Sequence, residues 1–272
     1  MIEKFDESTF KKIVSKYYSY RKCYGLWTAY MCDLPVVKKG FIINGSFEDD
    51  LVFNSTLGDI VMCRPDAPHN SWHNLPRGKD MSIKNLEKFY LSVKNQGTPD
   101  SILLCFQHPS IFFTNKFVER YNISGGVNIL LLWNEAIVLE FVGSGFDVGD
   151  ITRGQITPHQ IYRIPWNSVK KYCDKLVSSY QIDRVDDEQY QLSRKSRISF
   201  LQTQGYESTI LENSIPMYYS PLKPTIFNIV WTKCVLPVVR NHTLFPAQQP
   251  VTILINLYND IPHVFEIWES TK

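Results

Sequence analysis

Between Ser124 and Pro165 the chain gathers most of the residues whose types and spacing could do chemistry: SGGVNILLLWNEAIVLEFVGSGFDVGDITRGQITPHQIYRIP. Gly143, Gly145, Gly149 and Gly154 stand among Asp147, Asp150, Arg153 and His159, directly after an apolar run that carries Glu140. A loop rich in glycine loses much backbone freedom on folding, so it must gain a tight turn or a close approach of backbone to a ligand. Charges of both signs in that loop favour a phosphate ligand over a plain turn, which needs neither sign. The plainer alternatives stay open. Glu140 can be a solvated or ion-paired strand carboxylate, and turns use glycine for the same steric reason that phosphate loops do.

A second group lies in Arg64–Asp80, RPDAPHNSWHNLPRGKD, where Arg64, His69, His73, Arg77 and Lys79 share one irregular stretch. It reads either as an anion-binding loop or as a surface loop of solvated cations, with Asp66 placed to pair locally with Arg64. His69 and His73 are four apart, but Pro68 and Pro76 oppose a helix, and no further ligand follows at zinc spacing. Ser144 in Val-Gly-Ser-Gly-Phe falls short of a nucleophile elbow. The basic run Arg194, Lys195, Arg197 reads as a solvated helix face.

The elements that must position these residues follow from hydrophobic periodicity. Val127–Trp133 and Ala136–Phe141 predict two buried strands joined by Asn134-Glu135, and Val251–Tyr258 with His263–Trp268 predicts a hairpin about Asn259-Asp260. Helical spacing appears over Glu7–Tyr20, Met81–Lys94, Trp166–Tyr180 and Arg184–Arg197. Ile226–Leu236 is apolar helix or strand, stopping at Pro237. From Tyr24 to Val61, the runs GLWTAYMC, GFIING, LVFN and DIVMC predict an antiparallel meander. The fold class expected is α+β (mixed α/β), with a central, mostly antiparallel sheet built from the strands around 40–63, 101–106, 127–141 and 251–268 and flanked by helices. A β-rich region, 1–165, carries the glycine loop, and a helical region with the closing hairpin, 166–272, completes one compact unit with a seam near Pro165.

Composition narrows the function classes. The chain of 272 residues is long enough for a substantial core, and 14% aromatic content argues for a folded protein. A net charge of +2 gives no electrostatic case for a nucleic-acid or membrane-surface protein. No apolar run has bilayer length. Six scattered cysteines without CxxC spacing, and no N-terminal apolar segment, lead to the expectation of reduced thiols in a cytoplasmic protein.

Phe113-Thr114, Ile137-Val138-Leu139-Glu140, Gly143-Ser144-Gly145-Phe146, Gly154-Gln155-Ile156-Thr157-Pro158 and Tyr162 occur in that order, after Pro35–Ile43 (PVVKKGFII). This succession resembles the ATP-grasp nucleotide-binding domain of the phosphoenolpyruvate synthase and pyruvate phosphate dikinase family, over roughly residues 35–165. The resemblance implies ATP and Mg²⁺ as cofactors, with Glu140 and Asp147 on the metal. It implies Arg64 and Arg153 as catalytic phosphate contacts, and Arg77, Gln107, Gly143 and Gly145 as nucleotide contacts. The family's early Gly-Gly-Lys element is missing here, Arg64 is followed by Pro-Asp instead of Ser-Ser, and Arg153 stands where a glutamine is expected. Three expectations result: a Mg-ATP-dependent ligase or phosphotransferase, a non-catalytic relative that binds a ligand or a protein with a degenerate nucleotide-binding fold, or an unrelated interaction protein.

Overall fold

The structure, a computed structural model, describes residues 2–45, 60–68, 75–76, 79–97, 99–107, 123–171, 181–203, 215–246 and 249–269. The chain is mixed α+β and divides into two compact units, Met1–Met31 with Val36–Asn115, and Cys32–Pro35 with Lys116–Lys272. Each has its own antiparallel sheet, so the strands expected in one central sheet are shared between two.

In the first unit the strands are β1 (Ile2–Phe5), β2 (Gly40–Ile43), β3 (Ile60–Asp66), β4 (Lys79–Ser82) and β5 (Ile102–Gln107), in the order β1-β2-β5-β3-β4. Alternation along the strands puts Phe41, Ile43, Val61, Cys63, Leu103 and Cys105 on one face. Leu86, Phe89, Tyr90 and Val93 of helix α3 (Leu86–Gln96) cover that face at helical spacing. Phe5 meets Phe106 and, from helix α1 (Phe10–Ser15), Phe10, with ring centroids 5.9 and 5.5 Å apart.

Three expected elements differ. The helix predicted over Glu7–Tyr20 is confined to α1, and that over Met81–Lys94 begins only at Leu86, after β4. The run GLWTAYMC lies in a helix, α2 (Arg21–Met31), not in a strand. Cys23, Leu26 and Ala29 recur at intervals of three and are buried, a helical stripe. The run LVFN lies outside the described residues.

The second unit carries six strands: β6 (Ile123–Leu132), β7 (Ala136–Val142), β8 (Gln160–Pro165), β9 (Gln181–Arg184), β10 (Val251–Tyr258) and β11 (Ile261–Glu269). Their order is β11-β10-β6-β7-β8-β9 and every neighbouring pair is antiparallel. Both predicted hairpins form. The first turns through three residues, 133–135, one more than expected, with Asn134 at φ 65°. The second is a two-residue turn with Asn259 and Asp260 at φ 50° and 63°, the left-handed geometry that such a turn requires and that Asn and Asp tolerate. Pro165 ends β8, and helix α5 (Trp166–Lys171) starts at the next residue.

The segment Ile226–Leu236 is helical and does not stop at Pro237. An α-helix over Pro224–Val230 widens into a π-turn at Trp231–Val235 and continues as Leu236–Arg240. Proline lacks an amide and crowds the carbonyl four residues back, and the wider turn accommodates it. Phe227 of this helix meets Tyr162 of β8, with ring centroids 4.7 Å apart, and so packs the helix on the sheet. Among the described residues no helix is long and apolar enough to cross a membrane.

Candidate functional site

The glycine loop emerges from β7 and leads through helix α4 (Val148–Thr152) toward β8. It is held from every side. Gly145 donates its amide to Ile123 O at 2.9 Å, and Gly143 donates its amide to His159 Nδ1 at 3.1 Å. Gly145 sits at φ +83°, and a Cβ there would lie 2.8 Å from Ile215 Cγ1, so both conformation and space demand glycine. Asp147 caps α4 through a reciprocal box: Asp150 N donates to Asp147 Oδ1 at 3.1 Å, and Asp147 N donates to Asp150 Oδ2 at 3.0 Å. Val148 N, the next orphan amide, donates to Asn256 Oδ1 of β10 at 2.8 Å.

The loop's charges pair with one another and with helix α6 (Asp187–Thr203). Arg197 Nη1 lies 2.9 Å from Asp150 Oδ1, and Nη2 lies 3.0 Å from Asp147 Oδ2. Arg153 Nη2 lies 2.9 Å from the same Asp150 oxygen and 3.5 Å from Asp147 Oδ1. Arg197 Nε also donates to Gly145 O at 3.2 Å. Two carboxylates and two guanidiniums balance in charge, which a buried cluster needs because an unpaired buried ion is costly. Burial and the neighbouring Asp147 push the Asp150 carboxyl up, against the pull of the two arginines. The expectation that Arg197 lies on a solvated face is therefore overturned: its side chain is 3% exposed.

Beside the loop lies a cavity of about 360 Å³. Gly143 and Ser144 line one part of it, and Phe141, almost wholly buried, and the partly exposed Tyr219 line another. Lys223 brings the one ammonium among its described lining residues, with Asn259 and Asp260 from the β10–β11 turn beside it. Lys223 Nζ is 3.9 Å from Asp260 Oδ2, and its side chain is 72% exposed. Gln160 holds this wall together. Its Oε1 accepts from Tyr219 Oη at 2.6 Å and from Leu222 N at 3.1 Å, and its Nε2 donates to Tyr162 Oη at 2.6 Å.

His159 backs the cavity and is fully buried. With Nδ1 accepting from Gly143, the neutral ring carries its proton on Nε2, which has no hydrogen-bond partner among the described residues. Phe146 and Tyr190 surround the ring at 4.6 and 5.0 Å between centroids. Burial lowers its pKa from 6.5 to about 4.

The residues expected to form a site are thus distributed. Gly143 lines the cavity, while Gly145, Asp147 and Arg153 form the loop's supporting turn and ion cluster. Glu140 is half-buried on β7, where its Oε2 accepts from Asn128 Nδ2 on the adjacent strand at 2.7 Å. Arg64 and Gln107 belong to the first unit, opposite Leu104 on β5 and Val61 on β3 respectively. Arg77, Phe113 and Thr114 lie outside the described residues, as do His69 and His73. Asp66, expected beside Arg64, accepts from the backbone amides of Lys22, Cys23 and Ala67. Among the described residues no cluster of three or more His, Cys, Asp or Glu is placed to hold a metal ion. Asp147 Oδ1 accepts from Arg153 Nη2 at 3.5 Å, and Glu140 lies on a different element, at Asn128.

Sequence reasoning missed Arg197, Asn256, Gln160 and Lys223. Arg197 was within reach, since Tyr190, Ser193, Arg197 and Leu201 are the buried residues of α6 and follow a helical stripe. The other three are single polar residues without a pattern.

No family model and no curated protein matches this sequence. Among solved structures the chain is similar to a D-alanine–D-alanine ligase from Bacillus anthracis complexed with ATP. The identity is 11% over 95% of this chain, with a TM-score of 0.37. The chain spans 55% of that ligase's length. At that identity and score, the likeness assigns no residue and no activity to this chain.

Proposed function

We propose that the second unit binds a nucleotide or another phosphorylated small molecule in the cavity beside Gly143. On this reading the chain is a non-catalytic ligand-binding protein that keeps an ATP-grasp-like glycine loop. The observation that carries the reading is the cavity itself. Its volume is in the range of small-molecule sites, and it combines an apolar wall with glycine-loop backbone and a lysine ammonium. Tyr219, partly exposed, offers a ring to a base or other flat group, and the exposed Lys223 offers a point charge to the anionic end.

Asp147 and Arg153 act in this reading as positioning groups that hold the loop in shape. Phosphoryl transfer needs a metal-bridged phosphate and free cations on the transferred group. Here Asp147, Asp150, Arg153 and Arg197 already neutralise one another. The test is an equilibrium titration of the protein with ATP, ADP, GTP and inorganic phosphate, with and without Mg²⁺, on wild type and Lys223→Ala. Saturable binding weakened by Lys223→Ala supports the reading, and a flat response at millimolar ligand sinks it.

A further inference from the structure

Cys63 and Cys105 are 42 residues apart in sequence, yet the first sheet sets them directly opposite each other on β3 and β5. Directly opposed residues of an antiparallel pair have Cα atoms about 4.5–5.5 Å apart, inside the window that a disulfide spans. The side chains also turn toward each other: Cys105 Sγ is 3.7 Å from Cys63 Sγ. A disulfide bond is about 2.05 Å long, so each sulfur has to move by only about 0.8 Å. Both thiols are free and fully buried under α3, beside Leu86, Tyr90 and Val93. Cys23, Cys32 and Cys234 are also free and buried, but none of them is a register partner of another cysteine among the described residues.

We propose that Cys63 and Cys105 form a site of reversible oxidation, a cross-strand disulfide that pins β3 to β5 when the chain meets a low-molecular-weight disulfide. The chemistry is two successive exchanges. One protein thiol, giving up its proton, attacks oxidised glutathione to form a mixed disulfide, and one glutathione thiolate leaves. The second protein thiol then attacks the protein sulfur of that mixed disulfide, and the second glutathione thiolate leaves. Two protein thiols are oxidised, one glutathione disulfide is reduced, and the two protons end on the two glutathione thiols. Burial and the neighbouring sulfur hold the Cys105 thiol well above the usual range, so the thiolate is scarce in the closed sheet. Exchange therefore occurs when the β3–β5 ladder opens or while the chain folds.

The test uses the full chain in two arms: incubation of the native protein with oxidised glutathione, and refolding from urea in the same buffer. Each is followed by alkylation in denaturant and non-reduced peptide mapping. The refolding arm is expected to lose two of the six alkylatable thiols as a peptide pair joining Cys63 to Cys105, with dithiothreitol restoring both. The native arm reaches the same product more slowly. Cys105→Ser removes the cross-link and leaves Cys63 as a thiol or a glutathione adduct. Six alkylatable thiols after refolding, or pairings with other cysteines as abundant as 63–105, would overturn the proposal.

Discussion

Arg197 reaches from α6 to Asp150 under the glycine loop, Nη1 to Oδ1 at 2.9 Å, with side chains only 3% and 1% exposed. The same guanidinium holds Asp147 and the carbonyl of Gly145, so one residue ties cap, turn and helix together. Removing one partner of a buried pair costs about 3–5 kcal/mol, because it strands the other charge. Arg197→Met is therefore expected to lower unfolding stability by roughly 3 kcal/mol, read as a shift in the urea midpoint. Adding Asp150→Asn to Arg197→Met should recover part of that loss. Strict additivity of the two substitutions would deny the pair its coupling.

Asp66 performs a similar service in the first unit. Its Oδ1 accepts from the amide of Lys22 and its Oδ2 from that of Cys23, at 3.0 and 2.9 Å, so it caps the start of α2 from a distant strand. A third bond comes from Ala67 N at 3.0 Å. Asp66→Ala leaves these amides buried without that acceptor and should cost about 1–3 kcal/mol. Asp66→Asn retains one acceptor and should cost less. Equal losses for the two variants in urea unfolding would mean that the cap is not what Asp66 contributes.

His159 predicts a pH dependence. Its folded pKa, about 4, lies below its ordinary value of 6.5, so between these values the unfolded chain binds the extra proton. Stability linked to His159 is complete above pH 6.5 and is lost as pH falls toward 4, by about 3 kcal/mol across the window. The His159→Asn variant keeps a neutral acceptor for Gly143 and lacks the titration. The measurement is the difference between the two stability curves from pH 4 to 7. Parallel curves would contradict the assignment.

Two glycines in one loop are expected to respond differently. At Gly145 a side chain meets Ile215 on a backbone at φ +83°, and Gly145→Ala should cost about 1–3 kcal/mol. At Gly143 an added Cβ would make only ordinary contact with His159 Nδ1, at 3.7 Å, and Gly143→Ala should be near neutral in thermal unfolding. Loss of similar size in both would mean that the loop's shape is set by something other than these contacts.

The parts of the fold legible in sequence are those whose signals are local. Val127–Trp133 and Ala136–Phe141 read as strands because apolar runs end at turn residues, and Asn259-Asp260 read as a hairpin turn because both residues tolerate positive φ. Helix α2 was illegible for the opposite reason. Its aromatic run favours a strand, and its cap is Asp66, 44 residues away from Lys22. The division of strands between two sheets rests on pairings between distant segments, such as Val251 with Leu131, that no local pattern encodes. At the candidate site, the glycines and charges of 143–153 were visible. Their meaning depended on Arg197, because the same aspartates could serve a metal or a buried ion cluster until the partner from α6 was in place.

The measurement that tests the central claim most directly is calorimetric titration of the full chain with ATP and with inorganic phosphate, with and without Mg²⁺, on wild type and Lys223→Ala. Lys223 is exposed, so its loss leaves the fold intact and isolates the ligand contact. The account predicts one saturable site that does not require Mg²⁺ and is weakened about tenfold by Lys223→Ala, as the loss of one charge-assisted contact implies. No heat of binding at millimolar ATP or phosphate, or binding of equal strength in the two proteins, would contradict it.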